Sequence, residues 1–136
     1  MTPEAGQHLA KARQELTKAQ AMLGIALADE AGRAAYLAGF HAAQAFIFER
    51  TGRTPKTHQG VRSRFGLLAR EEPAIDIALR RFLTDAYDLK SVADYAIGAD
   101  AVVSAEDAAA AIRTATQFVA CITVLLSTAR GDGDNQ

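Results

Sequence analysis

Three histidines and a run of arginines are the residues of this chain best suited to chemistry on a phosphate. Between positions 50 and 70 stand Arg50, Arg53, Lys56, Arg62, Arg64 and Arg70, with no acidic residue among them. The segment carries +6, which leaves −7 for the rest of a chain whose formal net charge is −1. Eleven arginines against four lysines favour planar, two-pronged contacts to phosphate or carboxylate over point-charge attraction. A nucleotide, an RNA backbone or an acidic protein surface fits such a face. The plain alternative is a solvated face, neutralised by the acidic stretch 91–112, where Asp94, Asp100, Glu106 and Asp107 occur without Lys or Arg. His41, between Phe40 and an alanine run, reads either as a hydrogen-bonded histidine at a helix interface or as a proton carrier. His58, directly after Thr57, reads as a phosphate contact or as a capped surface residue.

Other chemistries find no support. No Glu is followed three residues later by His, so the carboxylate–histidine pairs of a di-metal bundle are missing. One cysteine and three scattered histidines (His8, His41, His58) do not make a zinc site. There is no phosphate loop of the Walker kind and no G-x-S-x-G nucleophile elbow. Neither metal nor cofactor is expected.

The elements that must position these residues read as helices. With 136 residues, 49% hydrophobic and 23% charged, the chain suits one domain and excludes both disorder and a highly charged coat protein. Only three prolines interrupt an alanine-rich sequence, which predicts an all-α fold. Thr2 as cap, Pro3 in the first turn and Glu4 against the dipole open a helix running to about residue 28. Its inward stripe is Leu9, Ala12, Leu16, Ala19, Leu23 and Leu27. Asp29 is placed to cap a second helix over about 30–50, ended by Gly52 and Pro55. A short helix follows over 58–70, then long ones over about 74–97 and 105–129, the last opened by Ser104 with Asp107. Their stripes are Ile75, Leu79, Phe82, Ala86, Leu89 and Ala93, then Ala108, Ile112, Ala115, Val119, Ile122 and Leu126. Short connections make neighbours antiparallel, giving an up-and-down bundle of four long helices and one short one. Residues 1–130 form the domain and 131–136 a flexible tail. Ala31, Ala34, Ala35, Ala38, Ala42 and Ala45 on the second helix form a small-residue seam, for core packing or for a dimer.

A lone Cys121, an N-terminus without an apolar core region and a longest apolar run of about twelve residues (118–129) point to a cytoplasmic protein outside the membrane.

The block GRAAYLAGFHAAQAFIFERTGRTPKTHQGVRSRFG, followed about twenty residues later by AYDLKSVADYAIG, resembles the HEPN family, closest to its small stand-alone bacterial and archaeal branch. Arg33, Tyr36, Phe40, His41 and Ala42 carry the likeness, with Lys56-Thr57-His58, Gly60-Val61 and Ala93-Asp94-Tyr95. The resemblance implies an antiparallel helical bundle, a homodimer, and a neighbouring minimal nucleotidyltransferase in a toxin–antitoxin-type pair. Active members are metal-independent ribonucleases with an Arg-x(4–6)-His motif. Here Lys90 stands for the arginine and Tyr95 for the histidine, with Asp94 beside it. Lysine still attracts phosphate, but tyrosine and aspartate titrate far from neutrality. Ile97 occupies the place of a tyrosine that the partner enzyme modifies in some pairs. The resemblance thus implies a partner- and nucleotide- or RNA-binding module with a degenerate catalytic motif. The alternative is a divergent ribonuclease using Lys90 and Tyr95 with His41 or His58. Arg53-Thr-Pro-Lys-Thr-His58 also matches Arg-x4-His, but in a proline-containing connection. Arg53, Lys56, His58, Arg62 and Arg64 are the candidate RNA or nucleotide contacts, and Arg33, Tyr36 and Asp94 the candidate motif or interface residues.

Overall fold

The computed structural model describes the backbone of residues 1–95 and 103–134, and the side chains of residues 1–91 and 103–128. The described residues form five helices: α1 (Pro3–Gly24), α2 (Ala28–Thr51), α3 (His58–Ala69), α4 (Ile77–Tyr95) and α5 (Ala105–Asp134). No strand occurs among the described residues. α2 is the central element, packed against each of the other four.

Local chemistry sets the helix ends. Thr2 Oγ1 accepts from the Ala5 amide at 3.2 Å, and Pro3 occupies the first turn, where its missing N–H costs nothing. The same hydroxyl donates to Glu49 Oε1 at 3.0 Å, tying the start of α1 to the end of α2. Gly52 closes α2 in the left-handed region, at φ 81°, its N–H reaching the Phe48 carbonyl. Thr57 caps α3 through the Gly60 amide at 2.9 Å, and Ser104 caps α5 through the Asp107 amide at 2.9 Å.

Several boundaries differ from the sequence expectation. α1 stops at Gly24 because Ala26 turns left-handed, at φ 65°, and the Leu27 amide closes back on the Met22 carbonyl. Leu27 is therefore 43% exposed instead of inward. Asp29 does not cap α2; its carboxylate accepts from the Val103 amide at 3.2 Å and ties α2 to the approach to α5. α4 begins at Ile77, after Asp76, whose carboxylate accepts from the Leu79 amide. α5 continues to Asp134, past the expected end at 129. Its span Ala105–Thr128, with hydropathy 1.6, is by length and composition apolar enough to cross a bilayer, a longer stretch than the twelve-residue run suggests. In this fold Ala108, Ile112, Ala115, Phe118, Val119, Ile122 and Leu126 of that span are buried in the core, while Glu106, Asp107 and Arg113 are exposed.

The alanine seam of α2 is buried within the chain itself, so it serves the monomer's core. Small side chains let the bulk of other helices reach the α2 backbone. Where they leave room, rings fill it: Phe46 of α2 meets Phe65 of α3 at 5.7 Å, Phe65 meets Phe118 of α5 at 5.2 Å, and Phe118 meets Phe82 of α4 at 5.6 Å. Gly39 marks the closest approach, since a Cβ there would lie 2.3 Å from the Phe82 ring. Gly39→Ala is expected to destabilise the fold by about 1–3 kcal/mol through overpacking. Gly66→Ala in α3 meets no atom within 4 Å and is expected to stabilise by about 0.5–1 kcal/mol. Urea denaturation of both variants checks this pair of opposite signs.

Candidate functional site

Tyr36 projects from α2 into the angle between α3 and α4, and it is fully buried. Its ring makes an edge contact with Tyr87 of α4 at 5.6 Å and lies 6.0 Å from Phe40, one turn along α2. A buried hydroxyl needs partners, and α3 supplies both of them. His58 Nδ1 lies 2.9 Å from the Tyr36 oxygen, and Arg62 Nη1 donates to that oxygen at 3.3 Å. His58 and Arg62 are four residues apart, so a single face of α3 presents both. Phe40 stacks on the His58 ring at 4.1 Å. Arg62 lies over the Tyr87 ring at 3.9 Å, and Lys90 Nζ stands 5.9 Å from the same ring.

Proton positions follow from the partners. Guanidinium only donates, so the Tyr36 oxygen accepts from Arg62 and its O–H points to His58 Nδ1. His58 is thereby assigned as the neutral tautomer with its proton on Nε2. Protonating Nδ1 would leave the tyrosine O–H without this acceptor. Desolvation pushes the His58 ring below its ordinary pKa, and the positive charges of Lys90 and Arg62 add to the effect. Burial pushes the Tyr36 phenol up, partly opposed by its hydrogen bond from Arg62. The face therefore holds one neutral N–H donor, His58 Nε2–H, and two cations, the Arg62 guanidinium and the Lys90 ammonium.

The candidates divide into separate places. His58, Arg62, Lys90 and Tyr36 come together, and the positive segment does meet the Lys90 ridge of α4. Tyr87, the ring beneath both cations, went unmarked in the sequence; its spacing of three before Lys90 was the available signal. His41 lies on the other flank of Phe40, in ring contact at 5.5 Å, and its Nδ1 bonds Gln44 at 2.8 Å. Burial also lowers the pKa of His41, and Lys11 and Glu15 of α1 act on it with opposite signs. Arg33 pairs with Glu30 one turn before Tyr36. Arg50 pairs with Glu72, outside the acidic stretch expected to neutralise it, and stacks on Phe46 at 5.0 Å. Lys56 is exposed in the turn before α3. Arg53 and Arg64 line a groove of about 370 Å³ on another flank of α3, one that includes neither His58 nor Arg62. The side chains of Asp94 and Tyr95, at the end of α4, lie outside the described residues. Among the described residues no cluster of His, Cys, Asp or Glu could hold a metal.

His8, His41 and His58 are all shifted downward, each chiefly by desolvation. An unfolded chain protonates its histidines near pH 6.5 while the native state still resists, so it then binds more protons than the native state. Stability is expected to be complete above that pH and to fall as pH drops from about 6.5 through the lower native values. Urea midpoints at pH 7.5 and pH 5.5 measure the loss, and proton NMR titration of His58 locates its own midpoint below 6.5.

The HEPN domain model matches residues 5–125, which include every described side chain of this face. A UPF0332 protein of Gloeobacter violaceus is 31% identical over 119 residues, covering 88% of this chain and 93% of the relative. With its all-helical bundle and a match over most of its length, the chain belongs to the HEPN domain family.

Proposed function

We propose that this HEPN protein binds the phosphate of an RNA or nucleotide on the face of His58, Arg62, Tyr87 and Lys90, without cleaving it. The observation that carries this is how Arg62 is held. Two tyrosines anchor its guanidinium, one through a hydroxyl and one through a ring face, and no carboxylate pairs with it among the described residues. Its full charge thus remains for an incoming anion, and its fork is already oriented. His58 adds a neutral N–H donor. To serve as a base at Nε2, His58 would have to move its proton to Nδ1, displacing the Tyr36 O–H from its acceptor. That cost separates binding from catalysis here.

Family membership supports a role beside a nucleotidyltransferase in a toxin–antitoxin-type pair, with this chain as a homodimeric, cytoplasmic component whose catalytic motif is degenerate. Co-purification with the product of an adjacent nucleotidyltransferase reading frame, and a dimeric mass by light scattering, are the expected results.

The second reading is a metal-independent ribonuclease, favoured by one observation: a histidine held neutral beside two cations. In that reaction a base removes the RNA 2′-hydroxyl proton as the 2′-oxygen bonds to phosphorus. The bond to the 5′-oxygen breaks, that oxygen takes a proton, and a 2′,3′-cyclic phosphate remains.

A labelled single-stranded RNA distinguishes the two. Wild type is expected to bind it and leave it intact. Arg62→Gln or Lys90→Gln should weaken binding about tenfold, and each should flatten the salt dependence by about 0.7 in log–log slope. Cleavage to a cyclic phosphate, abolished by His58→Ala, would establish the ribonuclease. Binding at millimolar protein that ignores both substitutions would remove this face from consideration.

A further inference from the structure

α3 has a second polar flank. Gly60, Ser63, Arg64 and Leu67 recur at spacings of three, four and seven from Gly60, which places them on one helical face. That face differs from the one shared by His58 and Arg62. It forms one wall of the 370 Å³ groove, and the connection after α2 forms the other, through Arg53, Thr54 and Pro55. A volume of this size lies at the small end of the roughly 300–1,000 Å³ typical of ligand sites.

The wall made by the connection is built, not draped. Gly52 turns the chain in the left-handed region. Thr51 Oγ1 lies 2.8 Å from the Arg53 carbonyl oxygen and 2.9 Å from that of Ile47, bracing the turn against α2. Pro55 seats on Gly60 so closely that a Cβ at Gly60 would lie 2.9 Å from the Pro55 Cβ. The result brings Arg53 and Arg64 to one groove from two directions. Neither guanidinium has an ion-pair partner among the described residues, unlike Arg33 and Arg50, and no described side chain bonds the hydroxyls of Thr54 and Ser63. The floor is apolar: Ile47 is buried, and Leu67 is a leucine left 55% exposed at the rim.

From this we infer that the groove holds one nucleoside monophosphate unit, its phosphate between Arg53 and Arg64 and its base against Leu67 and Pro55. Two arginine forks and two hydroxyls offer more donors than a carboxylate's oxygens need, and a tetrahedral phosphate takes them better. A flat base covers the exposed leucine and the proline ring, which an inorganic anion would leave wet. The site extends the phosphate-binding reading given above but rests on different residues. A free mononucleotide and one nucleotide of an RNA strand share this chemistry.

Calorimetric titration with AMP, inorganic phosphate and an RNA hexamer tests the assignment. Wild type should bind AMP, and Arg53→Gln with Arg64→Gln should weaken both AMP and phosphate about tenfold or more. Leu67→Ser should weaken AMP and spare phosphate. If the RNA hexamer displaces AMP, the nucleotide belongs to a strand; if it does not, the groove takes the free mononucleotide. The assignment is overturned if AMP fails to bind at millimolar concentration or binds equally well to the double variant. Tighter binding of an acidic peptide than of AMP also overturns it. AMP affinity lost through Arg62→Gln alone would move the nucleotide to the His58 face and leave only that reading standing. RNA affinity untouched by Arg62→Gln, with the groove behaving as expected, would reverse that outcome.

Discussion

A phenol sealed between three helices must find hydrogen-bond partners inside the protein, and that requirement organises this end of the bundle. Leaving such a group unsatisfied costs about 1–3 kcal/mol, a substantial share of a small domain's stability. Tyr36 meets the demand with two side chains of one short helix, so α3 has a preferred rotation on the core. The ring contacts of Phe40 and Tyr87 reinforce it from either side. Everything charged on α3 takes its direction from that arrangement.

Among the described residues, Arg62 is consequently fixed by a neutral hydroxyl and a ring face. A carboxylate beside Arg62 would orient it equally well but cancel its field. A π face and a hydroxyl orient it and leave the field almost intact. Arg50 shows the contrast within the same basic segment: paired with Glu72 and laid over Phe46, it fastens the end of α2 to the turn before α4. Six cations adjacent in sequence thus have different occupations in space, and summed charge alone does not separate them.

Much of the architecture was legible in the amino-acid order, because helix stripes and caps are local. The inward residues of α5 and the caps at Thr2, Thr57 and Ser104 stand where their spacing places them. Asp29 and Leu27 escaped because a left-handed alanine, which no residue preference announces, ended α1 early and freed Asp29 for a bond to Val103. The site was legible in its parts and not in its grouping. His58, Arg62 and Lys90 all stood out by type, yet only tertiary packing shows that Tyr87 lies under the cations and that Phe40 parts His41 from His58. The match of Arg53 to His58 by spacing dissolves in space, since the two residues serve different flanks of α3.

The seating of Pro55 on Gly60 has an evolutionary corollary. Both polar flanks of α3 hang on a six-residue link between Gly52 and Thr57, and neither flank can be re-aimed without the other. Adding or removing one residue there would disturb the seating of Pro55 on Gly60, which fixes how the link meets α3. Changes in what the two flanks present are therefore channelled into side-chain replacement at fixed loop length.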